Sequence, residues 1–376
     1  MVQDRRDVTE SPAPIDIHGC TQAELVRLAR DRLECGAGVA AELYTDVMRS
    51  GELVPVRLGL GWRAAEAWGR SFRLDLPEPL RTVEEPGPVG TTIKAVLRLA
   101  DGLECECVSI PMGRDRFTLC VSSQVGCRMA CAFCETARMG FLRDLTAAEI
   151  VGQLLVARHR LGWPVRNVVF MGMGEALDNP DGLVQALRVL TDGAGISLSQ
   201  QRITVCTAGH VPGIARLREL GYKRLNLAIS LNAATDEKRD ALMPCNRRMP
   251  LAEVQRALVA YRQRRNFVFA VNYCLLPGLN DTPEDARAIA RFCAPLGRVM
   301  INLIPYNPGS VPLARRPTDD EIVSFVALLR DEGLPVRRRI AKGDSVMAAC
   351  GQLGNRALRA RRTRVAATAG RPSGAD

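Results

Sequence analysis

The stretch Phe117-Thr-Leu-Cys-Val-Ser-Ser-Gln-Val-Gly-Cys127-Arg-Met-Ala-Cys131-Ala-Phe-Cys134 begins like a β-strand and ends in three closely spaced cysteines. Its apolar, partly β-branched start predicts a buried strand. Three thiolates so close together can bind one soft metal centre. A structural zinc site takes four ligands, and no fourth ligand follows with the usual paired spacing. Three ligands would instead leave one iron of a 4Fe-4S cluster open to a small molecule.

Strand-like and helix-like segments alternate along the chain from this loop onward. Capping boxes at Thr146-Ala-Ala-Glu149 and Thr318-Asp-Asp-Glu321, and proline at Thr282-Pro283, predict three helix starts. Six βα units with short connections predict an α/β fold, a parallel sheet curled into a partial (βα)6 barrel. Chemistry is expected at the carboxyl ends of its strands. The candidate strands are Phe117–Val121, Asn167–Met171, Arg202–Thr207, Leu225–Leu231, Phe267–Leu276 and Val299–Pro305, with Pro335–Ile340 as an extra strand.

The segments outside the barrel are predicted to form smaller units. Residues 20–50 have helical spacing, and two strand-like runs, 92–99 and 105–110, precede Phe117. A Pro/Gly-rich stretch, Glu84–Gly90, marks a boundary between them. We therefore predict a flexible arm (1–16), a small N-terminal accessory domain (17–90), a connecting β-hairpin (91–116), the barrel core (117–355) and a basic flexible tail (356–376).

Composition limits the class of protein. Hydrophobic residues make up 47% and charged residues 24% of the 376 residues, a balance that supports a large core and excludes disorder along the whole chain. The start of the chain lacks the apolar centre of a signal peptide, and no run reaches the roughly 18 apolar residues of a membrane span. We expect a cytoplasmic protein with no membrane partner, whose 13 cysteines are thiols, metal ligands or catalysts rather than structural disulfides.

The formal net charge of +10 fits a partner that carries phosphate groups, because each neutralised phosphate releases counterions. Scattered arginine on a solvated surface explains the same charge equally well. The end of the chain adds a cluster of arginines that would either fray or contact phosphate: Arg356, Arg359, Arg361, Arg362 and Arg364.

A second motif, Val168-Val-Phe-Met-Gly-Met-Gly-Glu175, follows the second predicted barrel strand. Its small residues let the backbone approach a ligand closely, and a carboxylate comes directly after them. An ordinary strand-to-loop turn would also account for this pattern. After a CxxxCxxC loop, however, the segment resembles the motif that holds the amino group of S-adenosylmethionine (SAM) in the radical SAM superfamily.

Four motifs in order make the resemblance more specific. They are Thr118–Cys127, Phe170–Glu175, Ile301-Asn-Leu-Ile-Pro-Tyr-Asn307-Pro and Gly343-Asp-Ser-Val-Met-Ala-Ala-Cys350-Gly-Gln-Leu. Together they resemble the RlmN/Cfr family of radical SAM methyltransferases, which act on adenine in ribosomal RNA and, for some members, in transfer RNA. The resemblance covers about residues 100–355, whereas residues 1–90 resemble the family's accessory RNA-binding domain only by position.

The resemblance implies roles for individual residues. Cys127, Cys131 and Cys134 would bind one 4Fe-4S cluster, and two SAM molecules would be used per turnover. Ring carbons of adenine are poor nucleophiles, so Cys350 would first take up the methyl group as a thiolate. Cys120 would release the product by a transient disulfide with Cys350, and Glu106 would accept a proton. The implied SAM contacts are Gly174, Glu175, Cys206, Ser230, Asn232 and Asn307.

Two of these SAM positions depart from the family pattern. Cys206 stands where serine is usual, and Asn232 stands where histidine is usual. Alternatives also exist for the catalytic residues. Glu106 could be a solvated carboxylate on a strand face, and Cys120 or Cys350 could be a buried thiol without a chemical role.

Other functions remain compatible with the sequence. A radical SAM methylase of a peptide or small molecule would need the same cluster loop. A non-catalytic iron-sulfur protein that binds RNA would not need Cys120, Glu106 and Cys350. Within RNA methylation, alanine at position 176, where proline is common, favours carbon-8 of adenine slightly over carbon-2. The expected partners are RNA, ribosomal and in part transfer RNA, and an electron donor such as flavodoxin or ferredoxin.

Overall fold

The computed structural model describes residues 13–114, 116–262 and 264–355. Its centre is a ten-stranded sheet with the order β14-β13-β12-β11-β10-β9-β6-β5-β4-β3. The sheet strands are β3 (Glu78–Glu85), β4 (Thr92–Arg98), β5 (Glu104–Pro111), β6 (Phe117–Cys120), β9 (Val165–Phe170), β10 (Ile203–Thr207), β11 (Asn226–Ser230), β12 (Val268–Leu275), β13 (Arg298–Pro305) and β14 (Val336–Arg338). Two short pairs complete the strands: β1 (Ile15–Asp16) with β2 (Phe72–Arg73), and β7 (Gln124–Val125) with β8 (Arg143–Asp144).

The sheet changes character at β6. This strand pairs in parallel with β9 and antiparallel with β5, so the parallel barrel strands and the antiparallel strands β3–β5 share one sheet. On the barrel side every neighbouring pair from β9 to β14 is parallel. The predicted barrel strands are confirmed with shifts of only one or two residues, and the extra strand forms as β14. The α/β barrel architecture predicted from the alternation is therefore correct.

Helices connect the strands, and their starts agree with the sequence signals. Thr146 and Thr318 each accept a hydrogen bond from the backbone N–H three residues later, and the glutamate at that position bonds back. Thr282 does the same with Asp285. The helices are α1 (Gln22–Leu33), α2 (Ala37–Ser50), α3 (Trp62–Ser71), α4 (Glu135–Met139), α5 (Ala147–Leu155), α6 (Pro180–Thr191), α7 (Val211–Glu219), α8 (Asp236–Leu242), α9 (Leu251–Tyr261), α10 (Pro283–Cys293) and α11 (Asp319–Asp331).

The N-terminal segment is helical, as predicted for residues 20–50, but the helix is interrupted. Glu34 adopts a left-handed conformation (φ 51°) that ends α1, and Gly36 caps the start of α2. The buried faces of α1 and α2 join the same hydrophobic core as the barrel. Hydrogen bonds add to this packing: the Gln22 N–H donates to Asp192 and the Thr45 hydroxyl donates to the Ala194 carbonyl.

Two strand pairings cross the domain bounds that were predicted from the sequence. Ile15 and Asp16, assigned to the flexible arm, pair with β2. The Asp16 side chain also accepts a hydrogen bond from Arg73, which stabilises this pairing. Strand β3, assigned to the accessory domain, pairs with β4 in the main sheet. The division into domains otherwise stays a prediction, and residues 1–12 and the tail 356–376 lie outside the described part of the chain. Within that part, no helix is long and apolar enough to cross a membrane.

Candidate active site

One cavity opens at the carboxyl ends of the barrel strands, where the sequence predicted the chemistry. Its walls come from the cysteine loop, the ends of β9 to β13 and the turn that carries Cys350. It contains nine of the residues singled out from the sequence: Cys127, Cys131, Cys134, Gly174, Glu175, Cys206, Ser230, Asn232 and Cys350.

The cysteine loop is held by backbone contacts at its two sides. Strands β7 and β8 close its base, and the Cys127 N–H donates to the Gly140 carbonyl at 3.2 Å. Gly126 lies at this crossing with φ 81°, and a Cβ atom there would come within 1.7 Å of the Gly140 oxygen. Only glycine fits, because any side chain would push the two backbone segments apart. At the far side the Ala132 N–H donates to the Leu242 carbonyl at 2.9 Å.

Glu175 is fixed at the end of the strand β9 loop. Its two carboxylate oxygens accept the backbone N–H groups of Leu177 at 3.2 Å and Ala208 at 2.7 Å. Burial nevertheless raises the pKa of Glu175 to about 7. No described lysine or arginine pairs with this carboxylate, and a cationic amino group in the cavity would give it a counter-charge.

The two residues that depart from the family pattern are both hydrogen-bonded. Cys206 lies 3.3 Å from the Ser230 hydroxyl and accepts the Asn272 amide at 3.2 Å. Asn232 uses its side-chain oxygen to accept the Cys274 N–H at 2.9 Å and has φ 56°, a conformation that asparagine tolerates. The substitutions therefore keep polar side chains in the wall. The cavity residues Asn272 and Cys274 were missed, since nothing in an alternating strand marks which side chain faces a ligand.

Asn307 does not line this cavity. Its side-chain oxygen accepts a hydrogen bond from Arg316 at 2.9 Å, and Arg316 also pairs with Asp344. The side chain is buried. As the structure stands, Asn307 therefore connects the end of β13 to the segment before Cys350.

The turn that carries Cys350 is held from several sides; Cys350 lines the cavity, and burial raises the pKa of its thiol. The buried Gln352 side chain accepts the Ala349 N–H at 3.1 Å and donates to the Pro308 carbonyl at 2.9 Å and to Asp344 at 2.8 Å. Next to the cysteine loop, the Glu135 N–H donates to the Gly351 carbonyl at 2.8 Å. These bonds hold Cys350 in the cavity wall next to the cysteine loop.

Cys120 and Glu106 lie beside the cavity wall. Cys120, at the end of β6, is buried; burial raises its pKa, and the neighbouring Cys350 thiol raises it further. Glu106, on β5, is also buried, 3.7 Å from the Lys94 ammonium and 3.2 Å from the Gly354 N–H. The alternative of a solvated Glu106 is therefore wrong. All 13 cysteines are free thiols in this structure.

Comparison with known proteins identifies the class first. Residues 121–293 match the model of the radical SAM superfamily. A crystal structure of a radical SAM methyltransferase from Sphaerobacter thermophilus superposes with a TM-score of 0.81 at 34% identity, covering 90% of this chain and 99% of that one. The chain is therefore a radical SAM enzyme.

Two relatives then specify the family. The protein named dual-specificity RNA methyltransferase RlmN from Rhodospirillum rubrum is 38% identical over 375 residues, which cover 95% of this chain and 84% of the relative. The protein of the same name from Geotalea uraniireducens is 44% identical over 266 residues, 70% of this chain and 76% of the relative. This chain belongs to the RlmN family of radical SAM methyltransferases, as the motifs predicted.

The family implies a 4Fe-4S cluster and SAM, and the donor set of the cavity fits both. In the described residues, no group of three or more histidine, cysteine, aspartate or glutamate side chains is gathered to hold a single metal ion. The cysteines of the loop instead share one cavity wall, as an iron-sulfur cluster requires of its thiolate ligands. Burial raises the pKa of Cys127 and Cys131, so these thiols need a metal to become thiolates. Glu175 lines the same cavity and could pair with the amino group of SAM.

Proposed function

We propose that this enzyme methylates a ring carbon of adenine, carbon-2 or carbon-8, in ribosomal RNA and also in transfer RNA, by way of a methyl group carried on Cys350. The observation that carries the proposal is the position of Cys350, which lines the same cavity as the three cysteines of the loop. The relatives named RNA methyltransferases and the net charge of +10 support an RNA substrate.

The chemistry divides between the bound groups and the protein. When bound, the 4Fe-4S cluster and two SAM molecules supply an electron, a methyl group and a 5′-deoxyadenosyl radical. Cys350 accepts the methyl group on its sulfur as a nucleophile. Because Cys350 lines the cavity, the same sulfur can present the activated carbon to a base that enters the cavity. Electrons would come from a small donor protein such as flavodoxin or ferredoxin.

Release of the product uses the two residues beside the wall. Glu106 accepts a proton from the modified ring. The Cys120 thiol then attacks the sulfur of Cys350, its proton passing to the methylene carbon, and the bond between that sulfur and the methylene carbon breaks. The electron pair stays on carbon, which takes up that proton and becomes the methyl group, while the two thiols are left as a disulfide. The low exposure of Cys120 protects it from other reactions until the base is in place.

The N-terminal residues 17–90 would contribute to RNA binding. Helix α3 begins with Trp62, which is 70% exposed and has the Arg63 guanidinium 5.6 Å from its ring. An exposed aromatic ring beside a cation is a suitable platform for an unpaired base. The accessory domain is thus proposed to hold structured RNA while the barrel modifies one base.

Single substitutions at the two catalytic cysteines test the proposal. Cys120→Ala should accumulate a covalent adduct between Cys350 and RNA that survives denaturation and disappears with nuclease, because the exit from the intermediate is blocked. Cys350→Ala should form neither adduct nor methylated RNA. The matched control is Cys293→Ala, which replaces a buried cysteine at the end of α10 that does not line the cavity. This variant should behave like the wild type.

Denaturing gels and peptide mass spectrometry measure the adduct, and mass spectrometry of digested RNA identifies the methylated nucleoside. Adduct in the Cys350→Ala sample would refute the role of Cys350. If neither variant nor the wild type modified RNA while SAM cleavage persisted, the substrate would be a peptide or small molecule. Binding without SAM cleavage would indicate a non-catalytic RNA-binding protein.

A further inference from the structure

A buried ion pair lies beneath the turn that carries Cys350. Lys94 on β4 and Glu106 on β5 lie diagonally across two paired strands. The distance between the ammonium nitrogen and a carboxylate oxygen is 3.7 Å. Their side chains are only 9% and 5% exposed. Burying two charges is costly unless each finds further hydrogen-bonding partners, so the remaining contacts of the pair are informative.

Those remaining contacts go to the two ends of the same turn. The Lys94 ammonium donates to the Met347 carbonyl at 2.9 Å, and Glu106 accepts the Gly354 N–H at 3.2 Å. Cys350 lies between these two attachment points. We define residues 347–354 as the Cys350 loop. One ion pair therefore anchors both ends of this loop, one end through each charge.

The backbone of the loop requires such anchoring. Met347 has φ 52°, a left-handed conformation that is unfavourable for a residue with a side chain. It persists only where surrounding contacts hold it, and its carbonyl is the group that Lys94 binds. At the other anchor, Gly354 has φ 134°, which only glycine adopts readily.

We propose that Lys94 is a positioning residue: with Glu106 it clamps the Cys350 loop over the cavity, and proton uptake by Glu106 loosens the clamp so that Cys350 can reach Cys120. The proposal rests on the proposed function for the source of the proton and for the role of Cys120. A neutral carboxylic acid no longer attracts the ammonium, and it is a weaker acceptor for the Gly354 N–H than a carboxylate. Release of the loop would then follow the step in which Glu106 acts.

The charges around Glu106 suit this role. Lys94 on β4 and Arg81 on β3 both lower the pKa of Glu106, whereas burial is the largest influence and raises it. Its neighbours on β5, Cys105 and Cys107, are buried thiols whose pKa burial raises, so they stay neutral. The two cations favour the ionised form of Glu106, in which the ion pair with Lys94 keeps the clamp closed. Protonation of Glu106 removes this attraction and opens the clamp.

Hydrogen exchange measured by mass spectrometry tests the clamp in cluster-loaded enzyme without RNA. Lys94→Met removes the charge but keeps the chain length, and the amides of 347–354 should exchange about tenfold faster, the loss expected for a charged hydrogen bond. Glu106→Gln, which imitates the protonated acid, should produce the same change. Lys94→Arg should preserve most of the protection.

Lys342→Met is the matched control. Lys342 also donates to a backbone carbonyl, that of Pro111, but within the described residues it pairs with no carboxylate, and it lies before the loop. It should leave exchange at 347–354 unchanged. Thermal unfolding and iron content establish that each variant is folded, and Lys94→Gln replaces Lys94→Met if the latter fails. Unchanged exchange in both the Lys94 and the Glu106 variant would overturn the proposal.

The pH dependence of product release adds a readout that a purely structural lysine would not move. Because Lys94 lowers the pKa of Glu106, Lys94→Met should shift the acidic limb of single-turnover release to higher pH. An unshifted limb would contradict the coupling between Lys94 and Glu106. If the wild type did not modify RNA at all, the proposed function would fail, yet the exchange experiment would still decide whether the clamp exists.

Discussion

The cysteine loop and the Cys350 loop bring thiols to one cavity by opposite means. In the cysteine loop, Cys127, Cys131 and Cys134 lie within eight residues, and short-range contacts such as Cys127 to Gly140 shape the segment. The Cys350 loop has a single thiol, and its position depends on strands more than 200 residues earlier in the chain, at Lys94 and Glu106.

The difference between the two loops is one between thiols that a metal holds in place and a thiol that the protein must hold in place. Ligands of a cluster are drawn to their places by the metal itself, because metal–thiolate bonds supply the free energy. A methyl carrier receives no such help and must be held by the protein. We therefore expect the cysteine loop to be sensitive to the loss of a thiol, and the Cys350 loop to be sensitive to the loss of hydrogen bonds that lie outside the chemistry.

The largest effect is expected at the cysteine loop. Replacing Cys127, Cys131 or Cys134 with alanine should abolish the iron-sulfur absorbance and SAM cleavage, since each thiolate would hold one iron and the loss of one leaves two of the four irons without a protein ligand. Wild-type protein reconstituted without oxygen should bind about four irons and four sulfides. Cys245→Ala, a nearby cysteine outside the motif, serves as the control. A triple-alanine variant with a full cluster would contradict the ligand assignment.

A smaller and more selective effect is expected at Gln352. Gln352→Leu keeps the buried volume but leaves the Ala349 N–H and the Pro308 carbonyl without their side-chain partner, whereas Asp344 keeps its pairing with Arg316. Each unsatisfied buried group costs about 1–3 kcal/mol, so RNA methylation should fall about tenfold to a hundredfold as the loop shifts. SAM cleavage without RNA should remain near the wild-type rate.

Gln185→Leu makes the same chemical change far from the cavity, where Gln185 binds Gly19 and Glu24, and controls for general loss of stability. Parallel loss of SAM cleavage and methylation in Gln352→Leu would mean that this side chain supports the whole cavity rather than the Cys350 loop. Single-turnover assays of both reactions on the same preparation measure the two rates.

The smallest effect is expected for pH, at Glu175. Burial raises the pKa of Glu175 to about 7, and the ionised form is the one that attracts the amino group of SAM. Affinity for SAM should therefore be full above pH 7 and should fall as pH decreases through 7, by up to about tenfold per unit. Equilibrium binding to cluster-loaded enzyme measures this, and Glu175→Gln should bind weakly with little pH dependence. A flat profile for the wild type would contradict the role of Glu175.

Much of the fold followed from local patterns. The strands β6 and β9 to β14, and the capping boxes at Thr146 and Thr318, formed where periodicity and capping chemistry predicted them. The interruption at Glu34 and the pairing of Ile15 with Phe72 were not anticipated, because both depend on backbone conformation and on partners distant in sequence. The same limitation hid Asn272, whose contact with Cys206 joins two strands of the barrel.

The sequence by itself determined the family: the spacing of the cysteine loop, the small residues before Glu175 and the order of the four motifs are local and need no structure to be recognised. The tertiary structure decided the geometry. It placed Asn307 against Arg316 instead of in the cavity, buried Glu106 beside Lys94, and set Cys350 on the wall. The physical reason is that residue type fixes what a group can do, whereas burial and long-range hydrogen bonds fix its charge, its partners and its position.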